Sequence, residues 1–241
     1  MDLKNLIGSG AMADFYEYEG HGVKLFKQGA DVAHIYHEAS VMSILENTGL
    51  PIPKVTKIVN INGRWAIVMD LADGKPVAYD MTTNMDNFVD LQLKMHSITA
   101  PAGFVLSNSH YMCRKIISES QISLVAEKRE LLIELLDSFP VEFQLCHNDY
   151  HGRNVLKTKN GLVIIDWVSA TSGSPKTDCC RTYMLTKACH EEFAEPYLEN
   201  VCEKAKFYAD DILKWLPVLS AVWLHMAPEN HFFNEWLSRL K

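Results

Sequence analysis

The pattern of hydrophobic and polar positions divides the chain into two parts. In the first eighty residues, short apolar runs alternate with glycine and other turn residues, which is typical of β-strands. One helix interrupts this part, because apolar side chains recur at helical spacing after Asp31, a candidate N-cap, and the pattern ends at Asn47–Gly49. The predicted strands span residues 5–7, 14–19, 23–27, 54–61 and 64–71.

Two glycine-containing turns predict hairpins. Asn62-Gly63 joins two of the predicted strands and favours a type I′ turn. Lys159-Asn160-Gly161 lies between two further short strands, residues 154–157 and 162–165. The second hairpin interrupts a region that is otherwise helical in pattern.

The remainder of the chain shows helical spacing of apolar residues. Helices are predicted over residues 86–98 and 118–139, and again from Pro175 onwards. The sequence therefore predicts an α+β fold. Its small N-terminal lobe of antiparallel strands and one helix spans residues 1–73, its larger and mainly helical lobe spans residues 74–241, and a hinge at about residues 69–75 joins them.

Composition narrows the classes of function. The 241 residues are 48% hydrophobic and 22% charged, which is enough to bury a core, and the net charge is -7. An acidic chain has no general field that attracts a phosphate backbone, so we expect no nucleic-acid partner. The N-terminus lacks a signal-peptide pattern and no apolar run is long enough to span a bilayer, so we expect a cytoplasmic protein without a membrane partner. The six cysteines include no C-x-x-C pair, and we expect reduced thiols.

The strongest chemical signal is an H-x-D-x-x-x-x-N motif. It contains His147, Asp149 and Asn154, and Asp166 closes an apolar strand twelve residues after Asn154. A loop, a hairpin and a strand of this length would bring Asp149, Asn154 and Asp166 to one edge. Carboxylate and amide oxygens there suit magnesium and phosphoryl transfer.

Residues upstream of this motif occur in an order that supports the same chemistry. Gly8 and Gly10 lie in a strand-turn-strand setting, and Lys24 lies in the middle of the next strand. Glu38 lies in the helix that follows, where its carboxylate could pair with Lys24. Each feature is weak alone, and their joint order ahead of the H-x-D loop is what carries the argument.

The segments L-C-H-N-D-Y-H-G-R-N-V-L and V-I-I-D-W resemble the signature of the aminoglycoside phosphotransferase and choline kinase group, within the protein-kinase-like superfamily. The resemblance covers nearly the whole chain. It implies a bilobal protein-kinase-like fold, Mg²⁺ as cofactor and ATP or GTP as phosphate donor. By this resemblance Asp149 is the catalytic base, and Asn154 and Asp166 hold the metal.

The same resemblance implies the other site residues. Lys24 contacts the nucleotide phosphates, and Glu38 fixes Lys24. His147 and Asp178 support the catalytic loop. The remaining nucleotide-binding residues implied in this way are Gly8, Ser9, Gly10, Asp70, Leu71, Leu156 and Ile165.

Three positions depart from the family pattern. Ala13 replaces the third glycine of the phosphate loop, Gly22 stands where a small residue two before the lysine is usual, and Trp167 follows the metal aspartate. An alanine still permits close approach of a backbone, so nucleotide binding remains expected. Trp167 suggests that no flip of the D-F-G type regulates the protein.

The expected function is that of a small-molecule kinase. Only eight residues separate Asp166 from Pro175, which leaves little room for the platform on which protein kinases bind a peptide. An aminoglycoside, choline or ethanolamine, a sugar, a nucleoside and a methylated metabolite remain open as acceptors. A nucleotide-binding pseudokinase that acts as a regulatory or interaction module is the alternative, although such a module has no need of a catalytic base.

We expect residues 167–181 and the helices after Glu191 to build the acceptor pocket. The acidic composition leans slightly toward a cationic acceptor. Four glutamates could bind such a cation, or they could form a solvated face of a helix, and the solvated face is favoured. These glutamates are Glu191, Glu192, Glu195 and Glu199.

Overall fold

The computed structural model describes residues 1–104, 107–227, 231–238 and 240. These residues form an antiparallel sheet in the N-terminal part of the chain and are mainly helical in the rest, which confirms the predicted fold class. They make up two compact units: unit 1 contains residues 1–80 and 152–169, and unit 2 contains residues 81–151 and 170–241. The expected boundary between residues 73 and 74 stays a prediction.

The described strands are β1 (Asn5–Ser9), β2 (Ala13–Tyr18), β3 (His21–Phe26), β4 (Val55–Ile61), β5 (Arg64–Asp70), β6 (Gly74–Pro76), β7 (Gln144–Cys146), β8 (Val155–Thr158), β9 (Gly161–Ile164) and β10 (Thr171–Gly173). The described α-helices are α1 (Val32–Leu45), α2 (Met81–His96), α3 (Ser109–Glu119), α4 (Ser123–Glu127), α5 (Arg129–Asp137), α6 (Pro175–Cys189), α7 (Ala194–Ala205), α8 (Ala209–Leu213), α9 (Leu216–Met226) and α10 (His231–Ser238).

Unit 1 is built on a five-stranded antiparallel sheet. Its strand order is β1-β2-β3-β5-β4, so β3 pairs with both β2 and β5 near the middle of the sheet. Alternate residues of the inner strands, Val23, Leu25, Ala66 and Val68, form a buried cluster on one face. Lys24 points to the opposite face because successive side chains of a strand alternate.

Helix α1 begins and ends as its sequence predicts. The Asp31 side chain accepts a hydrogen bond from Ala33 N at 2.9 Å, which caps the first turn. Gly49 has φ +75°, a left-handed conformation that stops the chain from continuing as a helix. The buried residues of α1 include Ile35, Glu38 and Met42.

The predicted hairpin turns have the expected conformations. Asn62 and Gly63 have φ of 51° and 86°, as a type I′ turn requires. Gly161, with φ +115°, follows the turn between β8 and β9. These two strands join β6 in a three-stranded sheet, which returns residues 152–169 to unit 1.

One helix prediction was wrong. Residues 118–139 do not form a single helix, because α3 ends at Glu119 and α4 and α5 follow. Ser120 adopts an extended conformation, with ψ 133°, and its hydroxyl accepts a hydrogen bond from Ile122 N at 3.3 Å. The Arg129 guanidinium binds the carbonyl oxygens of Ile117 and Ser120, at 3.2 and 2.7 Å, and so stabilises the break.

A two-stranded sheet in unit 2 leads into the H-x-D loop. Strand β7 ends at Cys146, immediately before His147, and pairs with β10. Gly173 in β10 needs to be glycine, because a Cβ there would lie 2.1 Å from the Ser109 hydroxyl oxygen. The sheet therefore packs closely against the start of α3.

Two further expectations concern the chain as a whole. Among the helices of the described ranges, none has the length and apolar character needed to cross a membrane. All six cysteines are free thiols, as expected from their spacing.

Candidate active site

A buried cluster of three charged side chains lies in unit 1. The Lys24 Nζ lies 2.5 Å from Glu38 Oε1 and 3.0 Å from Asp166 Oδ1. Lys24 lies on strand β3, Glu38 on helix α1, and Asp166 two residues after the end of β9. Lys24 and Asp166 are 142 residues apart in the chain. The structure thus brings together the lysine, the glutamate and one predicted metal ligand.

The surroundings of Lys24 keep it charged. Burial by itself would lower the pKa of Lys24, but the carboxylates of Glu38 and Asp166 outweigh burial and raise it. The rings of Phe15 and Phe26 also lie 5.6 and 5.4 Å from Nζ, within the range of a cation–π contact. One lysine with two carboxylates has a formal charge of -1, which leaves the cluster able to attract a further cation.

Asn154 and Asp166 lie next to each other through the backbone. Ile165 N donates to Asn154 O at 2.9 Å, so the residue before Asp166 is tied directly to Asn154. Asp166 has φ +63°, which is uncommon for a residue with a Cβ, while its side chain is 36% exposed. Trp167 is fully buried and donates from Nε1 to Ile164 O at 3.2 Å, so it anchors the turn that carries Asp166.

The donor atoms of Asn154 and Asp166 fit Mg²⁺. Both side chains carry hard oxygen ligands, and the partly exposed Asp166 carboxylate can be reached from solvent. Asn154 as a whole residue is 8% exposed, so it has lost most of its contact with water before any metal binds. The metal-binding roles of the two residues stay a prediction.

The glycine-rich turn leaves open space. Gly8 and Ser9 end β1, and Gly10 N donates to Ala13 O at 2.8 Å across the turn. A Cβ at Gly8 or Gly10 would meet its nearest protein atom only at 3.8 or 3.7 Å, so packing within unit 1 does not demand glycine there. A close approach by a ligand would explain these glycines.

The predicted hinge is partly occupied by hydrogen bonds of the protein itself. Asp70 N donates to Lys54 O at 2.9 Å, so this amide is not available to a nucleotide base. Asp70 and Leu71 instead line a cavity of about 170 Å³ with Asn160 and Val163, which is smaller than the usual volume of a ligand pocket. Leu156 on β8 and Ile165, the other residues predicted to contact the base, are partly buried in unit 1.

Asp178 organises the predicted catalytic loop in unit 2. Its buried carboxylate accepts hydrogen bonds from Asn148 N at 2.7 Å and from His147 N at 3.4 Å, and lies 2.8 Å from His96 Nε2. Burial alone would raise the pKa of Asp178, but the hydrogen bond to His96 and the amide of Asn148 lower it below its ordinary value. Asn148 has φ +59°, and these contacts hold that conformation. His147 is fully buried, and its Nδ1 accepts from Asp149 N at 3.2 Å.

Asp149 lies near nitrogen groups of His151, His147 and Arg181. His151 Nε2 lies 3.7 Å from Asp149 Oδ2, and both side chains are partly exposed. Burial would raise the pKa of Asp149, but His151, His147 and Arg181 outweigh burial and lower it. The carboxylate is therefore ionised at neutral pH and can accept a hydrogen bond from a hydroxyl group.

A family comparison agrees with this geometry. The model of the family described as "Phosphotransferase enzyme family" matches residues 7–210. The chain belongs to the phosphotransferase enzyme family. A comparison with curated protein sequences finds none that matches.

Solved structures of kinases share the fold of this phosphotransferase. A thermostable mutant of the aminoglycoside phosphotransferase APH(4)-Ia, in complex with AMP-PNP and hygromycin B, has a TM-score of 0.70 at 14% identity, over 99% of this chain and 92% of that chain. Choline kinase LicA from Streptococcus pneumoniae has a TM-score of 0.66 at 16% identity, over 100% of this chain and 92% of that chain. The aminoglycoside phosphotransferase APH(3'')-Id from Streptomyces rimosus, in complex with ADP and streptomycin, has a TM-score of 0.63 at 13% identity, over 87% and 90%. At these identities the likeness shows the fold.

The glutamates considered for a cationic acceptor have partners on the surface of the phosphotransferase. Lys187 Nζ lies 3.0 Å from Glu191 Oε1 and 3.5 Å from Glu195 Oε1. Tyr183 OH also donates to Glu195 Oε1 at 2.9 Å. The side chains of Glu191 and Glu195 are 75% and 56% exposed, so these two belong to a solvated face, the interpretation that the sequence favoured.

The sequence did not single out two residues near Asp149. His151 follows it by two positions inside the motif, and that short spacing was an available signal. Arg181 lies three residues after Asp178, and residues three apart on a helix share a face. Its position beside the loop could have been found from that spacing once Asp178 was assigned to the loop.

Proposed function

We propose that the protein is a small-molecule kinase that transfers the terminal phosphate of ATP or GTP to a hydroxyl group of a small acceptor. The observation that carries this proposal is the buried cluster of Lys24, Glu38 and Asp166. A surface ion pair forms at little cost, whereas burying a lysine with two carboxylates is expensive and needs a functional reason. Binding a polyphosphate and its metal is such a reason.

The residues of unit 1 take the nucleotide role in this proposal. Lys24 binds the phosphates, Glu38 holds the ammonium group in place, and Asn154 and Asp166 hold Mg²⁺. When bound, Mg²⁺ neutralises negative charge on the terminal phosphates. The open turn at Gly8 and Gly10 admits the phosphates close to the backbone.

Asp149 takes the acceptor role. Its lowered pKa keeps it ionised, so it accepts a hydrogen bond from the acceptor hydroxyl and orients the oxygen for attack. Phosphoryl transfer depends mainly on positioning and charge stabilisation, so a weakly basic carboxylate is sufficient. Asp178 and His147 act through the loop backbone and do not need to touch the acceptor.

The test measures transfer and binding separately. Wild-type protein and Asp149→Asn are incubated with Mg²⁺ and ATP or GTP and a panel of hydroxyl compounds, and phosphorylated acceptor is quantified by ³¹P NMR. Calorimetry measures nucleotide affinity for both proteins. We expect transfer by the wild type and a loss of at least about a hundredfold in Asp149→Asn, with nucleotide affinity nearly unchanged.

Two results would contradict the proposal. Equal transfer by Asp149→Asn would remove Asp149 from the mechanism. Tight nucleotide binding by the wild type without either transfer or hydrolysis would support the pseudokinase alternative instead.

A further inference from the structure

Arg181 in unit 2 is a half-buried cation without an anionic partner of its own. Its guanidinium lies 4.7 Å from the centre of the Trp223 ring, on which it stacks. Its Nε is completely buried and has no hydrogen-bond partner. Among the ion pairs of the described residues, none includes Arg181. An arginine with an unpaired buried nitrogen is costly, and because the residue as a whole is only partly buried, a ligand group that pairs with its accessible nitrogens would offset that cost.

Helix α6 places Arg181 beside the catalytic loop. Asp178 binds the backbone of residues 147 and 148, and Arg181 follows it by three residues, on the same face and nearly one turn further along. The positive charge of Arg181 contributes to the lowered pKa of Asp149. A ligand group on Arg181 would therefore lie near the carboxylate that orients the acceptor hydroxyl.

The neighbours of Arg181 do not form an ion pair with it. The negative charge of Asp149 acts on Arg181, but among the described residues no ion pair joins the two. Burial raises the pKa of Cys113 to about 11, so this thiol is uncharged at neutral pH. Asp178 already accepts hydrogen bonds from two backbone amides and from His96. Burial lowers the pKa of Arg181, although a guanidinium remains charged at neutral pH.

We propose that Arg181 binds a carboxylate of the acceptor, so that the acceptor is a small hydroxy acid. This inference rests on the proposed kinase function and names the class of its acceptor. A guanidinium forms two parallel hydrogen bonds to a planar carboxylate, and one positive charge balances one carboxylate. A phosphate dianion would leave an excess negative charge beside Asp149, which disfavours it.

This class of acceptor differs from the cationic one toward which the acidic composition leaned. Of the four glutamates that could have attracted a cation, Glu191 and Glu195 already contact Lys187. Near Asp149, by contrast, Arg181 is a cation that forms no ion pair among the described residues. Local charge therefore outweighs the net charge of -7 in selecting the acceptor.

The experiment compares matched acceptors that differ in charge. ADP or GDP formation by the wild type is measured with hydroxy acids such as glycerate and 3-hydroxybutyrate, with the neutral diol 1,2-propanediol and with glycerol, with glycerol 3-phosphate, and with choline and ethanolamine. We expect hydroxy acids to stimulate turnover most. In Arg181→Gln, the KM for the hydroxy acid should rise roughly ten- to a hundredfold, as expected on loss of a charge-assisted pair, whereas the KM for a neutral diol should change little.

Arg114→Gln is the matched control. Arg114 lies on α3, outside the segments expected to build the acceptor pocket, and its 44% exposed side chain pairs with Asp137, so its loss should leave every KM unchanged. Thermal unfolding checks that Arg181→Gln is folded. If it is not, Arg181→Lys keeps a positive charge with shorter reach, and the wild-type acceptor preference tests the proposal without any variant.

The outcomes separate this inference from the proposed function. Preference for a cationic or neutral alcohol would leave the kinase function intact and overturn the assignment of Arg181. Preference for glycerol 3-phosphate would overturn the choice of carboxylate. An equal fall in kcat for all acceptors in Arg181→Gln, with no change in KM, would also overturn it by showing that Arg181 only supports Asp149. Absence of any nucleotide turnover would instead contradict the kinase function.

Discussion

A lysine side chain that is only 6% exposed keeps its charge when anions surround it, and Lys24 has two. The same arrangement means that Glu38 and Asp166 depend on the lysine. Removing Lys24 leaves two carboxylates facing each other with no cation between them. Removing Glu38 leaves Lys24 paired with Asp166. The two changes are therefore unequal, although they affect one cluster.

Lys24→Met should lower the free energy of unfolding by about 3 to 5 kcal/mol, the usual cost of breaking a buried ion pair from one side. Glu38→Gln should cost less, and the double variant should cost less than the sum, because both changes remove the same interaction. Urea denaturation measures all three. Lys27→Met is the control: Lys27 pairs with Asp14 but is 43% exposed, so its loss should cost at most about 1 kcal/mol. Additive costs would show that Lys24 and Glu38 do not act as a pair.

The lowered pKa of Asp178 predicts how the free energy of unfolding depends on pH. Its folded-state pKa is below the value of about 3.9 for an unfolded aspartate, so the unfolded chain binds more protons as the pH falls. The stabilisation by Asp178 is thus complete above about pH 4 and is lost as the pH falls through the folded-state pKa. In Asp178→Asn, the free energy of unfolding should be about 1 to 3 kcal/mol lower at pH 7, and its slope against pH should be shallower below pH 4.

The control for this measurement is Asp211→Asn. Asp211 also has a lowered pKa, from its hydrogen bond with Lys214 and the charge of Lys176, but it lies at the surface. Its loss should change stability at pH 7 much less than the loss of Asp178 does, because a surface ion pair contributes little. If Asp178→Asn behaves like this surface variant, the carboxylate does not hold the loop.

Helices and strands position the site residues, so substitutions that weaken the end of such an element should also affect the site. Helix α1 places Glu38 against Lys24, and Asp31 caps the first turn of α1 through Ala33 N. Asp31→Ala should destabilise the protein by about 1 kcal/mol, whereas Asp31→Asn, which keeps an acceptor oxygen, should cost only a few tenths. Thermal unfolding measures both. Equal losses in the two variants would show that charge, and not the capping hydrogen bond, matters at this position.

At the level of elements, the sequence predicted those with a strong local signal. Asp31 and Gly49 marked the ends of α1, and Asn62-Gly63 marked a hairpin, because capping and turn chemistry act within a few residues. Strands β7 and β10 have three residues each, which is too short to show a period. The break after Glu119 depends on Arg129, whose contact with the carbonyl of Ile117 twelve residues away leaves no local pattern.

The candidate site was predictable to a similar degree. Chemistry that requires particular side chains at fixed spacing, as in the motif of Asp149 and Asn154, can be read from one sequence. The pairing of Lys24 with Glu38 followed from their order along a strand and a helix. The environment of Arg181 could not be predicted, because Trp223 reaches it from a helix 42 residues later in the chain, and tertiary packing alone decides that contact.

Across the whole molecule, burial separates the six thiols into reactive and protected groups. Cys189 is exposed and Cys202 is partly buried, whereas Cys113, Cys146, Cys179 and Cys180 are buried. Burial raises the pKa of Cys113 to about 11 and raises those of the other three buried thiols as well. A disulfide reagent at pH 8 should therefore react first with Cys189, then slowly with Cys202, and with the rest only after denaturation.

The absorbance of the thiol released from the reagent measures how many cysteines react in each phase. Cys189→Ser should abolish the fast phase, and a reducing agent should leave the melting temperature of the wild type unchanged. Reaction of more than two thiols in the native protein would contradict the burial of the other four.

The discontinuous make-up of unit 1 has a consequence for how the protein is made. Asp166 leaves the ribosome 142 residues after Lys24, a delay of roughly ten seconds at ordinary rates of synthesis. Until then the nascent chain has β6 without the rest of its three-stranded sheet, and Lys24 without its second carboxylate. Unit 1 must therefore wait in an incomplete state while all of residues 81–151 are synthesised. Synonymous codons that change the rate of translation over that interval, or chaperones that bind the incomplete unit, should affect the yield of active protein more than its final stability.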